Sequence, residues 1–415
     1  MIAQNLISIE EALRTILKSV PAPTHSQEET VSVAQAHNRI NSRNIIAPLN
    51  IPPFAASAMD GYAVNSQDSV FKGQSPYRLP IQGHSLAGHP YSAALKNNQC
   101  IRITTGACLP ARSNAIVIQE NTVPGDGYIE SSISPGRNAH IRDIGQDVKH
   151  GRVIVPAGTM LGALQLGWMS ACGIDSLSVH RKLRVAVFST GDELVAPGKK
   201  LSEGEIYDAN RLVLQKLASQ LPLQIEDFGI LPDKEKVLTE VLTTAARNSD
   251  LLVGSGGVSV GDADYMKKVV SEIGRLEFWK IAIKPGKPFA FGKIGDSMFF
   301  GLPGNPVSAI ITYLLLVKPA IEKMCGSATL NTPLRVSATL EQPLQHSQGR
   351  TEYQRATYRQ CSSKADLKVS VNEDQSSNRF ASFRDCNCLI EIPADTGSPV
   401  AGERVTILPL GGLLN

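Results

Sequence analysis

The sequence predicts an α/β core domain, with a parallel sheet and helices on both faces, together with β-rich domains and an N-terminal helical arm. Between residues 184 and 326, apolar strand patterns alternate regularly with helical patterns, which is typical of parallel strands joined by helices. Before and after this region, short apolar runs are broken by glycine and proline, as in β-rich domains. At 415 residues the chain is too long for one ordinary core. We therefore expect several domains.

The composition favours a folded cytoplasmic protein that binds neither nucleic acid nor membranes. Apolar residues make up 42% of the chain, charged residues make up 19%, and the net charge is only +3, so no charge-driven partner is indicated. The seven cysteines are scattered and match neither a disulfide framework nor a zinc pattern. No export signal is visible. The most apolar run, residues 307–317, is too short for a bilayer, which needs about 20 residues.

Residues 1–50 are predicted to form an N-terminal helical and linker region. Its first helix is capped by Ser8, with Glu11 three residues later, and a second helix or turn is expected around residues 35–41. Residues 146–183 regain helical spacing and are expected to return to this region. Residues 51–145 form a predicted β-rich second domain with few helices.

Residues 184–327 form the predicted α/β domain. Its strands are RVAVFST, IEDFGIL, DLLVGSGG, LEFWKIAI and MFFGLPG, and a long apolar pattern near its end predicts a buried helix. Pro319 should end or kink that helix because proline lacks the backbone N–H. Residues 328–415 return to an alternating pattern and predict a C-terminal sheet or small β-barrel.

The unusual residues follow the predicted strands, at the edge where open α/β sheets bind ligands. Five strand ends carry glycine, proline, aspartate or lysine: STGDEL, GILPDKE, SGGVSVGDAD, IKPGKP and GLPGNPVS. Glycines let the backbone approach a ligand and present N–H groups to a phosphate or another oxyanion. Any single loop is explained more simply by an ordinary turn, a helix cap or solvated lysines. The coincidence of five such loops predicts a functional edge.

Charged residues on this edge predict both a cation and an anion. The carboxylates would repel one another unless a cation lay among them, and without neighbouring His or Cys they suit magnesium completed by substrate phosphates; they are Asp192, Glu193, Asp208, Asp233, Asp262 and Asp264. The basic residues suit an anion and are Lys280, Lys284 and Lys287. In the β-rich domain, three polar residues stand in turns that would be ordinary in isolation: Asp60, Thr105 and Asp147. Metal-bound nucleotide is the hypothesis that follows.

These motifs resemble those of the MoeA family, the molybdopterin molybdenumtransferases, which also includes the gephyrin E domain. The similarity runs nearly end to end and rests on SAMDGYAV, IRITTGA, R-x-x-G-x-D at 142–147, STGDEL, GEIYDANR, SGGVSVGDADY, WKIAIKPGKPFAFG and GLPGNPVS, in the family's order and spacing. The resemblance implies an elongated homodimer of multi-domain subunits. It also implies that the α/β domain, as the molybdopterin-binding domain, meets the β-rich lid domain of the other subunit at the active site, so that Asp60 and Thr105 reach the strand ends across the dimer.

The resemblance implies the last step in making the molybdenum cofactor, in which molybdate and adenylylated molybdopterin give molybdenum-loaded molybdopterin and AMP with the help of Mg²⁺. Matching motifs imply six catalytic residues, the last three of which also hold the metal: Asp60, Thr105, Asp147, Glu193, Asp233 and Asp264. The implied substrate-binding residues are Ser255, Gly256, Gly257, Lys280, Lys284, Pro303, Pro306 and Arg350. Arg355 is the alternative to Arg350 for assisting molybdate.

Two other functions fit parts of the pattern. A molybdopterin adenylyltransferase has a similar α/β domain, but the long β-rich segments and the SAMDGYAV and KPGKP motifs belong to the insertion enzyme. A scaffold of the gephyrin type would instead anchor a partner, and nothing in the sequence specifies a docking peptide. A contact with the adenylyltransferase is a further hypothesis.

Overall fold

The computed structural model describes residues 6–24, 27–73, 75–258, 265–361 and 366–411. Two of the predicted carboxylates, Asp262 and Asp264, lie outside the described residues. Among the described helices, none is both long and apolar enough to cross a membrane.

The N-terminal region begins with the predicted capped helix. Helix α1 (Ile9–Ser19) follows Ser8, whose Oγ accepts a hydrogen bond of 3.1 Å from the N–H of Glu11. Strands β1 (Glu28–Ser32) and β2 (Ile45–Ile46) follow it. The N-cap predicted from the sequence is therefore present.

The second region is β-rich, and its described residues contain no α-helix. Its strands are β3 (Ala56–Ser57), β4 (Gly61–Val64), β5 (Tyr77–Ser85), β6 (Cys100–Ile103), β7 (Ala115–Ile118), β8 (Val123–Pro124), β9 (Tyr128–Ser131) and β10 (Ile141–Arg142). Six of them form one sheet in the order β7-β4-β6-β5-β9-β8, and β10 pairs with β3.

The chain then returns to the N-terminal region through β11 (Val153–Val155), α2 (Ala163–Ala171) and β12 (Ser176–His180). Strand β11 pairs with β2, and β12 pairs with β1, both antiparallel. This pairing supports the predicted grouping of residues 146–183 with residues 1–50.

The α/β region follows with alternating strands and helices. Its strands are β13 (Leu183–Thr190), β14 (Leu194–Val195), β15 (Ile206–Tyr207), β16 (Leu223–Leu231), β17 (Leu251–Ser255), β18 (Gly274–Lys280), β19 (Ile283–Lys284), β20 (Pro288–Ile294) and β21 (Ser297–Leu302). Its helices are α3 (Asn210–Ala218), α4 (Glu235–Asn248), α5 (Tyr265–Ile273), α6 (Pro306–Thr312) and α7 (Lys318–Met324).

The central sheet has the order β16-β13-β17-β21-β20-β18. Its first four strands are parallel, as predicted, but β20 runs antiparallel to both neighbours. The sheet is therefore mixed, because the two residues between Ile294 and Ser297 form a turn too short to join parallel strands. Leu214 of α3 packs in the core on one face, and Leu238 of α4 packs on the other. The predicted α/β class, with helices on both faces, is confirmed.

The long buried helix continues past Pro319, where the sequence analysis placed an end or a kink. A π-helical turn at Tyr313–Val317 separates α6 from α7, and the whole turn is buried. Proline cannot donate to the carbonyl one turn earlier, and the wider π turn just before it absorbs that missing bond. The helix therefore reaches Met324.

The C-terminal region is the predicted small barrel. Its strands are β22 (Val336–Leu340), β23 (Thr351–Gln360), β24 (Leu367–Val371), β25 (Cys388–Ile392) and β26 (Arg404–Pro409). They pair in the order β23-β24-β22-β26-β25, and β25 closes the barrel on β23. Strand β19 of the α/β region pairs with β23, so Lys284 lies opposite Glu352. This contact places the barrel beside the lysine-bearing turn.

Candidate active site

The carboxyl ends of the parallel strands open into a cleft of about 1200 Å³ between the α/β domain and the barrel. Residues from all five predicted strand-end loops line it. The barrel contributes residues of β23 and of the loop that follows β24. Parallel strands bring their following loops to one edge, and the predicted functional edge is therefore one continuous cleft.

The turn after β17 accepts only glycine at two positions. Gly256 and Gly257 have φ values of +91° and +64°. A Cβ on Gly256 would lie 2.2 Å from the carbonyl oxygen of Thr190, and one on Gly257 would lie 2.5 Å from Thr190 Oγ1. The N–H of Gly256 donates to the carbonyl oxygen of Leu302 at 3.0 Å. Among the described contacts the N–H of Gly257 has no acceptor, so it is the one of the two that can bind a ligand.

Ser255 and the loop after β21 form adjoining walls of the cleft. Ser255 is buried, and its Oγ donates to the carbonyl oxygen of Pro303 at 3.3 Å. Pro306 begins α6, where its missing N–H costs no helical bond. Asn210 donates from Nδ2 to Ser255 Oγ at 2.8 Å and to the carbonyl oxygen of Gly304 at 2.7 Å. Asn210, which the sequence analysis did not select, ties the two walls together.

Acidic side chains gather where β13 and β16 end. The N–H of Asp233 donates to Asp192 Oδ1 at 3.1 Å. The carboxylate of Glu193 lies over Gly191, where a Cβ would be 2.7 Å from each of its oxygens. Partial burial and then the negative charges of Asp192 and Glu193 raise the pKa of Asp233 above that of an ordinary carboxyl group. This crowding of negative charge is what a bound cation would relieve.

The predicted metal ligands are only partly within the described residues. Glu193 and Asp233 lie together, whereas Asp264 is outside that part of the chain. Among the residues that the structure does describe, no three acidic, His or Cys side chains are placed to hold a metal ion. Asp208 has a structural role, because it is buried and accepts hydrogen bonds from Ser189 Oγ at 3.1 Å and Arg211 Nε at 2.8 Å.

The predicted lysines do not all reach the cleft. Lys284 and Lys287 line it, whereas Lys280, the last residue of β18, is not among the described lining residues. Lys284 Nζ lies 2.9 Å from an oxygen of Glu352, whose side chain is only 3% exposed. The other oxygen of Glu352 lies 2.9 Å from His346 Nδ1. The barrel therefore fixes the position of the Lys284 ammonium group.

Both predicted arginines line the barrel side of the cleft. Arg350 is partly exposed, and Arg355 is fully buried. Arg355 Nη2 donates to the carbonyl oxygens of Asp374 and Ser376, and its Nε donates to Ser382 Oγ, each at 3.1 Å. Its Nη1 has no partner among the described residues, and burial lowers the pKa of this guanidinium. A buried cation with an unused donor suits an anionic ligand.

The three predicted residues of the N-terminal half lie away from this cleft. Asp60 Oδ1 accepts hydrogen bonds from the N–H of Thr105 at 2.7 Å and from its Oγ1 at 2.8 Å, and these bonds lower the pKa of Asp60. Asp147 is exposed, and its N–H donates to the carbonyl oxygen of Ile51 at 3.0 Å. None of the three is among the described residues that line the cleft. One subunit alone does not bring them to the strand ends.

Comparison with known proteins shows the family. Residues 7–173 match the model of the MoeA N-terminal region, domains I and II, and residues 337–410 match the MoeA C-terminal region, domain IV. Residues 186–323 match a probable molybdopterin binding domain. A molybdopterin molybdenumtransferase of Haemophilus influenzae is 40% identical over 410 residues, which cover 99% of this chain and 100% of that protein. The chain belongs to the MoeA family.

Other proteins similar to this MoeA chain agree. Gephyrin of Dictyostelium discoideum is 29% identical over 99% of this chain and 63% of its own length. The crystal structure of the molybdopterin biosynthesis MoeA protein from Pyrococcus horikoshii has a TM-score of 0.84 at 28% identity and covers 97% of this chain and 100% of that one. The MoeA similarity therefore extends over all domains and not only over the α/β core.

The sequence contained weak signals for the site residues that were missed. Asn210 stands in the GEIYDANR motif, where an Asn at the start of a helix is explained equally well as a cap. Glu352 stands between Arg350 and Arg355 in GRTEYQRA, but its partner Lys284 belongs to another domain. Only the pairing of β19 with β23 brings them together.

Proposed function

We propose that this chain transfers molybdate to adenylylated molybdopterin and releases AMP, giving molybdenum-loaded molybdopterin. As a member of its family it is a molybdopterin molybdenumtransferase, an enzyme of molybdenum cofactor biosynthesis. The observation that carries the finer reaction is the cleft, where oxyanion donors and a carboxylate cluster lie together. Joining a tetrahedral dianion to a substrate whose phosphoanhydride bond is broken, with AMP as the leaving group, requires both.

The two anions would bind at different walls. The N–H of Gly257 and the wall formed by Ser255 and Pro303 suit the phosphate groups of adenylylated molybdopterin. Lys284 and the free Nη1 of Arg355, with Arg350 beside them, suit molybdate. Gly256 contributes by letting the backbone approach, since its own N–H is used.

Glu193 and Asp233, with Asp264 as the third predicted ligand, would hold Mg²⁺ near the phosphate groups. The fit rests on the donor set, because carboxylates of Asp192, Glu193 and Asp233 gather where β13 and β16 end and hard oxygen ligands suit Mg²⁺. Burial and then the charges of Asp192 and Glu193 raise the pKa of Asp233, and a bound cation would relieve that repulsion. A bound Mg²⁺ would offset negative charge on the phosphoanhydride oxygens. The carboxylates themselves orient the substrate and the attacking oxygen, and Pro303 and Pro306 shape the adjoining wall.

We further propose a homodimer in which Asp60, Thr105 and Asp147 of one subunit face the cleft of the other. The bonded pair of Asp60 and Thr105 is preorganised yet lies outside the cleft of its own subunit. Large apolar side chains are exposed on α2, where Leu164 is 85% and Trp168 is 41% exposed. Such surfaces are common at subunit contacts.

A cytoplasmic location and a contact with the adenylylating enzyme complete the proposal. None of the cysteines in the described part of the chain forms a disulfide, which suits a reducing compartment. The enzyme that adenylylates molybdopterin makes the substrate of this cleft, so direct transfer between the two would protect a labile intermediate.

The decisive assay measures AMP release from adenylylated molybdopterin by the purified protein, with and without molybdate and with and without Mg²⁺. We expect release to require molybdate and to be stimulated by Mg²⁺. Release that ignores molybdate would contradict the proposal. So would the formation of adenylylated molybdopterin from ATP and molybdopterin, which would mark an adenylyltransferase.

A scaffold role makes a different prediction in cells. Asp233→Ala and Asp264→Ala should abolish cofactor production at low molybdate in a cell that lacks its own enzyme. Intact cofactor production in both variants would favour the scaffold function.

A further inference from the structure

Asn210 links the two loops that wall the cleft after β17 and β21. It is the first residue of α3 and lines the cleft. Its Nδ2 donates to Ser255 Oγ at 2.8 Å and to the carbonyl oxygen of Gly304 at 2.7 Å. An amide nitrogen has two hydrogens, and both are therefore used.

These partners determine the orientation of the Asn210 amide, that is, which of its end atoms is Nδ2 and which is Oδ1. A backbone carbonyl only accepts hydrogen bonds, so the carbonyl of Gly304 requires the nitrogen, and a flipped amide would place two acceptors in contact. Ser255 Oγ uses its own hydrogen toward the carbonyl oxygen of Pro303 at 3.3 Å, and so it also requires a donor from Asn210. The orientation of this amide follows from the chemistry of its neighbours.

The acceptor end of the same amide is open. No described residue donates a hydrogen bond to Asn210 Oδ1, and this atom is not among the buried polar atoms. The side chain is partly exposed in a cleft whose other polar groups include lysines, arginines and carboxylates. A neutral acceptor held in a fixed direction is therefore set among charged groups.

We propose that Asn210 is a specificity-determining contact, whose Oδ1 accepts a hydrogen bond from a pterin N–H or a ribose O–H of the substrate. This inference rests on the proposed use of the cleft for adenylylated molybdopterin. Molybdate and phosphate oxygens at neutral pH are acceptors, and they cannot satisfy a carbonyl-type oxygen. Asn210 therefore contacts a neutral part of the substrate, separate from the anion sites at Lys284 and Arg355.

Calorimetric titrations test this with three separate probes: AMP, molybdopterin and molybdate. In Asn210→Ala we expect about tenfold weaker binding of AMP or of molybdopterin, and unchanged binding of molybdate. Asn210→Asp has the same shape but cannot donate to Gly304, so its loss should be larger. A loss with AMP alone assigns the donor to the ribose, and a loss with molybdopterin alone assigns it to the pterin.

Asn387→Ala is the matched control. The side chain of Asn387 also makes two hydrogen bonds, at 2.8 and 2.9 Å, to the backbone of Tyr358 in the barrel, and it lies outside the cleft. Its removal should leave the affinities for all three probes unchanged. Thermal melting of each variant shows whether it is folded.

The outcomes separate this inference from the proposed function. If the wild type binds AMP and molybdopterin and Asn210→Ala binds both equally well, the inference is wrong and the proposed function stands. Weaker binding of all three probes, or equal weakening of AMP and molybdopterin, which both place a phosphate group at the wall that Asn210 holds, would indicate a general loosening of the cleft and would also contradict the inference. If the wild type binds neither AMP nor molybdopterin, the proposed function fails and the inference fails with it.

Discussion

Asp233 stands in an environment unlike that of an ordinary surface carboxylate. Burial and the charges of Asp192 and Glu193 raise its pKa, so the folded protein binds this proton more tightly than the unfolded chain does. Ionisation of Asp233 at neutral pH therefore costs stability, and the cost disappears as the pH falls below its raised pKa. A residue held at such a cost in a cleft is a strong functional candidate.

We predict that Asp233→Asn lowers Mg²⁺-dependent AMP release by about 100-fold while it raises the melting temperature at neutral pH. In the wild type, the activity should decline with falling pH earlier than an ordinary carboxylate would cause, because protonated Asp233 cannot bind a cation. Mg²⁺ titrations of AMP release between pH 5 and 8 measure both effects. Asp296→Asn, in an exposed turn at the opposite end of the sheet, should change neither. An unaltered Mg²⁺ dependence in Asp233→Asn would contradict this role.

Alanine substitutions of the two glycines after β17 should respond differently when the side chain of Thr190 is also removed. Gly256→Ala would clash with the backbone of Thr190, whereas Gly257→Ala would clash with Thr190 Oγ1, which is buried without a partner among the described residues. Each change should cost about 1–3 kcal/mol from strain and overpacking. Adding Thr190→Ala should recover part of the stability and activity of Gly257→Ala and none of Gly256→Ala. Melting temperatures and AMP release measure this rescue. Equal rescue of both variants would contradict the assignment of the Gly256 clash to the backbone of Thr190 and of the Gly257 clash to its side chain.

At this scale the sequence predicted residue types better than their roles. The glycine turn follows from residues that allow a positive φ, and its position follows from the strand before it. Two features depend instead on which strands become neighbours. The N–H of Gly256 is used in a hydrogen bond to Leu302, and Lys284 pairs with Glu352. Those neighbours are set by tertiary packing, which local spacing does not report.

At the scale of elements, most strands and helices of the α/β region follow from apolar periodicity. Strand β20 is the exception, since the sequence analysis did not include it among the predicted strands. Residues 288–294 contain a run of mostly apolar residues that directly follows the KPGKP turn, and short apolar runs do not distinguish a strand from other buried segments. The strand is antiparallel because its turn to β21 is so short. A parallel sheet was expected because four of its strands do follow that pattern.

Asp250 anchors two elements to each other. It precedes β17, and its carboxylate accepts two hydrogen bonds from Arg181, at 2.7 and 2.8 Å, and one of 2.8 Å from the N–H of Arg184. Burial alone would raise the pKa of Asp250, but these bonds outweigh it and lower the pKa from 3.8 to about 2. The start of β17 is thereby tied to the segment that leads into β13.

We predict that Asp250→Asn lowers the free energy of unfolding by roughly 2 kcal/mol at pH 7. Because the folded pKa is depressed, this stabilisation is present above the unfolded pKa and is lost as the pH falls from about 4 to 2, with about half remaining at pH 3. Urea denaturation at pH 7 and pH 3 measures the difference, and Asp126→Asn, in an exposed turn, serves as the control. A difference that does not change with pH would show that the ion pair does not contribute through ionisation.

At the scale of the whole molecule, the described lining of the cleft comes from two domains of one subunit, the α/β domain and the barrel. The predicted site residues of the β-rich domain are not part of it. The barrel joins the α/β domain through β19 and β23 and supplies Glu352, Arg350 and Arg355. Asp60 and Thr105 lie elsewhere in the same subunit. The order of domains could be predicted from the sequence because each has its own periodicity. The contribution that we propose from a second subunit could not be predicted in this way, since contacts between chains leave no periodic pattern.

Mixed dimers test the composite cleft directly. Two chains, one carrying Asp60→Ala and one carrying Asp233→Ala, are co-expressed with different affinity tags, and the heterodimer is isolated by both tags in turn. The control heterodimer pairs a wild-type chain with a chain that carries both substitutions. If each cleft uses Asp233 of one subunit and Asp60 of the other, the first heterodimer contains one intact site and the control contains none.

The measurement is molybdate-dependent AMP release by these two heterodimers. The composite cleft predicts about half of the wild-type rate per dimer for the first and almost none for the control. The reverse result, an inactive first heterodimer and a half-active control, would contradict it and would place the whole reaction within a single subunit.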